Sequence, residues 1–151
     1  MSVLLIIGAS TRAAVASARQ SSWTIHAMDM FGDIDTRSQS NFQLLKNYPT
    51  ACISLLPDGQ PDAVCITGAM ENHPRVLQEL STRATLLAPA VNQIARMRDP
   101  FDLQAVLANS GFLYPRTFAS NTRLPQDETL WLKKPIASAA GQGIHAIDNT
   151  H

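Results

Sequence analysis

Like-charge blocks are missing from this chain, and so is any long apolar run. Twelve basic and twelve acidic side chains cancel over 151 residues. A surface for nucleic acid or an anionic membrane shows as clustered Lys and Arg, so neither partner is expected. The opening run Val3-Leu4-Leu5-Ile6-Ile7 has no basic flank and is far too short for a signal core or a bilayer span. No other segment is longer, and a cytoplasmic location is expected. Two cysteines are too few for a disulfide framework. Cys65 lies inside one apolar run and Cys52 opens another, so both read as small buried hydrophobes. The histidines (His26, His73, His145, His151) are scattered without metal-ligand spacing. His26 reads as a packed or hydrogen-bonded strand residue rather than a base.

What is there is a globular composition, 45% apolar and 16% charged, with no disorder signature. The length suits one ordinary domain, or a small domain plus the start of a second. Val3 to Ile7, ended by Gly8, predicts a strand buried on both faces. Ser10 or Thr11 can cap a following helix from Arg12 to about Gln20, whose alanines let it lie close to a sheet. Thr24 to Met28 predicts a second strand with Asp29 at its carboxyl end. A polar loop with a helical turn covers Gly32 to Ser40, and Cys52 to Leu56 is a short apolar run closed by Pro57-Asp58-Gly59. Ala63 to Thr67 and Thr85 to Ala88 complete the strands. Asn72 or His73 caps a helix with Pro74 in its first turn and Val76, Leu77 and Leu80 on one face. Val91, Ile94 and Ala95 mark a short helix. Strands alternating with helices predict an α/β fold, a Rossmann-like parallel sheet flanked by helices, over residues 1–95.

The character then changes, and residues 96–151 read as the beginning of a second, small α+β unit. Asp99 as N-cap, Pro100 as first residue and Gly111 as stop frame a helix with the apolar stripe Leu103, Val106 and Leu107. Phe112 to Phe118, a polar loop from Ala119 to Glu128, a strand Leu130 to Lys134, a glycine loop and a strand Ile144 to Ile147 follow.

The strand–turn–helix at Gly8 invites a dinucleotide reading, with Asp29 lying 21 residues on. Ser10 and Ala13 occupy the other two glycine positions, so the fingerprint is not met. A receiver-domain reading fails too, since Ala63 to Thr67 ends without an Asp. Gly8, Ser10, Thr11 and Arg12 can still receive a carboxylate at the helix start; the alternative is a capped helix with Arg12 in solvent. Asp29, Asp33 and Asp35 read as turn or solvent-facing residues rather than metal ligands.

The segment richest in chemistry is Lys133-Lys134-Pro135-Ile136-Ala137-Ser138-Ala139-Ala140-Gly141-Gln142-Gly143-Ile144. Strand alternation lets only one of the two lysines face a given ligand, and Pro135 keeps Lys134 extended. The small residues from Ser138 to Gly143 let backbone amides converge on phosphate oxygens. No Walker pattern is present, because the lysine precedes the loop. A surface hairpin with an exposed lysine pair is the alternative.

Lys134-Pro135 followed by Ser138 to Ile144 resembles the lysine-and-glycine-loop segment of ATP-grasp enzymes. Gly8-Ala9-Ser10-Thr11-Arg12, Ser17-Ala18-Arg19 and Asp29 to Asp35 resemble the pre-ATP-grasp domain of an uncharacterised bacterial group. Arg98-Asp99-Pro100-Phe101, Gly111 and Pro115-Arg116-Thr117 resemble the approach to that superfamily's ATP-binding lid. The resemblance implies a ligase that uses ATP to activate a carboxylate as an acyl phosphate, which an amine or thiol then attacks. It implies Lys134, Ser138, Gly141, Gln142, Gly143 and Arg98 at ATP, and Gly8, Ser10, Thr11 and Arg12 at a small-molecule carboxylate. Ala139 and Ala140 stand where the family has glycines, and should resist φ > 0. The adenine strand and magnesium ligands of the family lie beyond the lid. The expectation is therefore a chain that stops inside the nucleotide site, with magnesium held elsewhere and negligible ligase activity of its own. A non-catalytic small-ligand or dimerisation module is the competing class, and a homodimer remains open. A nicotinamide oxidoreductase is the third reading.

Overall fold

The computed structural model describes residues 2–54, 56, 60–125 and 130–147. The chain divides into two compact units, residues 1–94 and 95–151.

The first unit is an α/β fold around a five-stranded parallel sheet in the order β3 (Asn41–Leu44), β2 (Thr24–Asp29), β1 (Val3–Ile7), β4 (Ala63–Ile66), β5 (Thr85–Leu86). Its central strand, β1 (Val3–Ile7), pairs with β2 (Thr24–Asp29) on one edge and β4 (Ala63–Ile66) on the other. Side chains alternate across a strand, so an unbroken aliphatic run must be covered twice. Leu5 and Ile7 enter one core with Met28, Val64, Leu77, Leu80 and Ile94; Leu4 and Ile6 enter another with Val15, Ile25, Ala27 and Ala63. Each of the Val, Leu, Ile and Met side chains among them contributes about 1.5–3 kcal/mol on burial. On the Leu4 side lies α1 (Arg12–Ala18), which buries Val15 and packs Ala14 and Ala18 against that core. Small residues let helix and sheet approach closely.

On the Leu5 side, α3 (Ala51–Ser54) contributes Cys52, α4 (Pro74–Arg83) contributes Leu77 and Leu80, and α5 (Val91–Arg98) contributes Ile94. A 3-10 turn, Met70–Asn72, precedes α4 and buries Met70. Burial pushes the Cys52 thiol up to about 11, so it stays neutral and unreactive at physiological pH. Cys65 is half-buried rather than enclosed. His73 holds the N-cap position of α4 without a side-chain capping bond.

Three elements differ from expectation. The polar stretch holds α2 (Ile34–Gln39), but it is followed by an edge strand, β3 (Asn41–Leu44), parallel to β2. The run at Cys52 is one helical turn, with Leu55 and the turn Pro57-Asp58-Gly59 outside the described residues. The strand expected over Thr85 to Ala88 shortens to β5, Thr85–Leu86.

In the second unit, Asp99 caps α6 (Pro100–Asn109), accepting from the amides of Phe101 at 2.8 Å and Asp102 at 3.3 Å. Gly111 follows with φ +76°, as a helix stop requires. The stripe Leu103, Val106 and Leu107 forms, yet α6 contains no buried residue. Strands β6 (Trp131–Lys133) and β7 (His145–Ile147) pair antiparallel. Trp131 is buried beneath the Phe118 ring at 5.3 Å and the Arg116 guanidinium at 5.0 Å. No helix among the described residues is long and apolar enough to cross a membrane.

The tightest joint is at the carboxyl end of β1. A Cβ on Gly8 would lie 2.2 Å from Thr67 Oγ1 and 2.3 Å from the Thr67 carbonyl oxygen. Gly8→Ala is expected to destabilise the protein by about 2 kcal/mol or more, read as a lower urea midpoint. An unchanged midpoint would mean that β1 and β4 do not approach this closely in solution.

Candidate functional site

Two turns were singled out by sequence, and they lie in different units. The first follows β1. Gly8 is buried against Thr67, Ala9 N donates to Gly68 O at 3.3 Å, and Thr67 Oγ1 donates to Ser10 O at 2.8 Å. These bonds link the turns after β1 and β4, where the chain switches direction across the sheet.

Thr11 occupies the N-cap position of α1, but its side chain makes no capping bond. Its amide and hydroxyl both donate to Asp29 Oδ2, at 2.9 and 2.8 Å. Asp29 Oδ1 accepts from the amides of Phe31 at 3.0 Å and Gly32 at 2.8 Å. This fully buried carboxylate is the hub that joins the β1 and β2 turns. Burial by itself pushes its pKa up. The bonds from the Thr11 amide, the Gly32 amide, the Thr11 hydroxyl and the Phe31 amide outweigh that and hold it below the ordinary value.

An ionised Asp29 therefore sits where an incoming carboxylate would look for the Thr11 amide. Arg12 is engaged as well, its Nε 2.6 Å from Asp35 Oδ2 on the surface. Of the four residues expected at a substrate carboxylate, Gly8 and Thr11 have structural work and Arg12 is ion-paired. Ser10 stays exposed.

The second turn joins β6 to β7 and runs from Lys134 to Ile144. Lys134 lies exposed one residue past β6. Within the bend, Gln142 N donates to Ala139 O at 3.1 Å, closing a turn whose central residues, Ala140 and Gly141, have φ +53° and +76°. Two successive left-handed residues define a type I′ turn, in which alanine is strained by about 1–2 kcal/mol. A second turn follows, closed by Ile144 N donating to Gly141 O at 3.3 Å, with Gly143 at φ +72°. A Cβ on Gly143 would also lie 2.8 Å from Pro135 Cγ, whereas Gly141 faces open space.

Arg98, the last residue of α5, reaches this bend. Its Nη2 donates to Ile136 O at 3.2 Å and Ser138 O at 3.0 Å. Ser138 Oγ lies 3.4 Å from Pro135 O, a long and weak bond.

Compared with known proteins, the chain matches no family model and no curated protein.

Arg98, Ser138, Gly141, Gln142 and Gly143 thus belong to one bend, with Lys134 at its start. The main-chain amide of Gln142 is used inside the turn, which leaves its exposed side chain as the donor it can offer. Sequence reasoning missed Asp29 as a hub and the carbonyl clamp by Arg98. A short polar carboxylate after a strand and a threonine after a glycine turn were the available signals for the first. Nothing local signals the second. Among the described residues no cluster of His, Cys, Asp or Glu could hold a metal ion.

Two outcomes are expected. Asp29→Asn replaces an acceptor with an amide facing N–H donors and should destabilise the fold by about 2 kcal/mol. Because the folded pKa is depressed, wild-type stability from Asp29 is complete above the ordinary aspartate value of 3.8 and is lost as pH falls below it. Urea unfolding from pH 6 to pH 2 should show the gap between wild type and variant closing. A gap independent of pH would contradict the hub. Ala140→Gly should relieve the strained turn and slow amide exchange in the β6–β7 hairpin; faster exchange would contradict the left-handed assignment.

Proposed function

We propose that the second unit is the phosphate-gripping part of an ATP-dependent ligase that joins a carboxylate to an amine or a thiol. The carrying observation is the bend itself. A left-handed pair at Ala140–Gly141 and a left-handed Gly143 lie in the connection that begins with Lys134, one residue past β6. Left-handed residues turn successive amides toward one side, which suits polyphosphate oxygens. Strain at a non-glycine residue is a feature of binding loops, and Ala140 carries it here.

ATP, when bound, supplies a phosphoryl group to the carboxylate. The chain's own residues bind and orient it. Lys134 offers a mobile point charge at the end of an extended segment, and Pro135 holds its backbone extended. Gly141 presents a face clear of other atoms. Gly143 is needed for its backbone angle and for its fit against Pro135. Gln142 and Ser138 add side-chain donors. The small-molecule carboxylate would have to meet this bend rather than the Thr11 amide, which Asp29 already takes. Among the described residues no group of three or more His, Cys, Asp or Glu could hold a metal ion beside the nucleotide.

Titration of the isotope-labelled protein with ATP should perturb the amides of residues 134–144, with weak affinity on the order of millimolar. Lys134→Ala should weaken it about tenfold, the loss of roughly one charge contact. No perturbation, or one indifferent to Lys134, would leave an ordinary hairpin on a non-catalytic α/β module.

A further inference from the structure

We propose that Arg98 is a positioning residue that decides which side of the bend presents its amides, and that Ala137 and Ala139 are the donors it aims at a polyphosphate. The idea rests on the phosphate reading above but adds donors and a residue that acts through them. One guanidinium nitrogen of Arg98, Nη2, donates to two carbonyls, of Ile136 and Ser138, at 3.2 and 3.0 Å. Both peptide bonds are trans, the cis bond of the described chain being Tyr48-Pro49. In a trans peptide the C=O and the following N–H point in opposite directions within one plane. The N–H groups of Ala137 and Ala139 therefore both point away from that nitrogen.

Among the described residues no group accepts from either amide. Ala137 is exposed and Ala139 half-buried. A guanidinium nitrogen carries two hydrogens fixed in a plane, so it holds two acceptors at a set angle. Its charge also polarises both peptide units, which strengthens the amides as donors. Arg98 is anchored for this by its place between α5 and the Asp99-capped start of α6. The pair extends the bend's donors upstream of the Ala140–Gly141 turn, where Gln142 N is already used.

The test follows backbone amides of the 151-residue protein during titration with inorganic tripolyphosphate. In the wild type, the Ala137 and Ala139 amide protons should move downfield most, and saturably. Arg98→Met should weaken the response about tenfold. Arg98→Ala should regain it when millimolar guanidinium chloride is added, which a purely structural loss would not. Methyl signals of Leu5 and Leu77 report whether each variant is folded. An Arg98→Met protein that responds like the wild type, or a wild-type response that bypasses Ala137 and Ala139, overturns the proposal. If the wild type shows no response anywhere, the phosphate reading itself fails. The clamp is then judged without anion: shifts at residues 136–139 on losing Arg98 support it, and unchanged shifts overturn it.

Discussion

A strand hydrogen-bonded along both edges and buried on both faces leaves no room at its carboxyl end. That constraint shapes the whole first unit. β1 can leave the sheet only through a residue without a side chain, because Thr67 fills the space where a Cβ would go. The chain then turns under the buried carboxylate of Asp29, whose four hydrogen bonds join the turns after β1 and β2. Packing, backbone satisfaction and charge are solved together. The outcome is a turn after β1 whose Thr11 amide is taken by Asp29, although the same turn in other α/β proteins is a ready anion site.

The second unit solves a different problem. Its hairpin connection carries left-handed backbone at Ala140, Gly141 and Gly143, and such a bend has carbonyls that need partners. Arg98 supplies two of those partners from a helix end, across 38 and 40 residues of sequence. Trp131, under Phe118 and Arg116, fixes the start of β6. Helix α6, by contrast, is shaped by its Asp99 cap and its Gly111 stop, with no side chain fully buried.

Much of this was legible in the residues. The aliphatic run of β1 announced a doubly covered strand, since no solvent-facing position interrupts it. Asp99, Pro100 and Gly111 announced α6 through local backbone chemistry that needs no tertiary partner. β3 was not legible: Asn-Phe-Gln-Leu is mostly exposed at a sheet edge, so it lacks the apolar signal of a buried strand. The Cys52 run is apolar because its helical turn faces the core, and four residues are too few to show a period. The Asp29–Thr11 hub and the Arg98 clamp are long-range, so no spacing rule reaches them. At Ala140 the sequence argued against φ > 0, and the chain adopts it at a cost of about 1–2 kcal/mol. Such a departure from local preference is expected where a site is built.

The central proposal is that Lys134, one residue past β6, and the amides of the bend after it hold one polyphosphate. A crystal structure of the protein with bound ATP tests it most directly. The account predicts phosphate oxygens within hydrogen-bond distance of the bend amides and the Lys134 ammonium turned toward them. Phosphates bound elsewhere, or an ammonium turned away with no space between it and the bend, would contradict it.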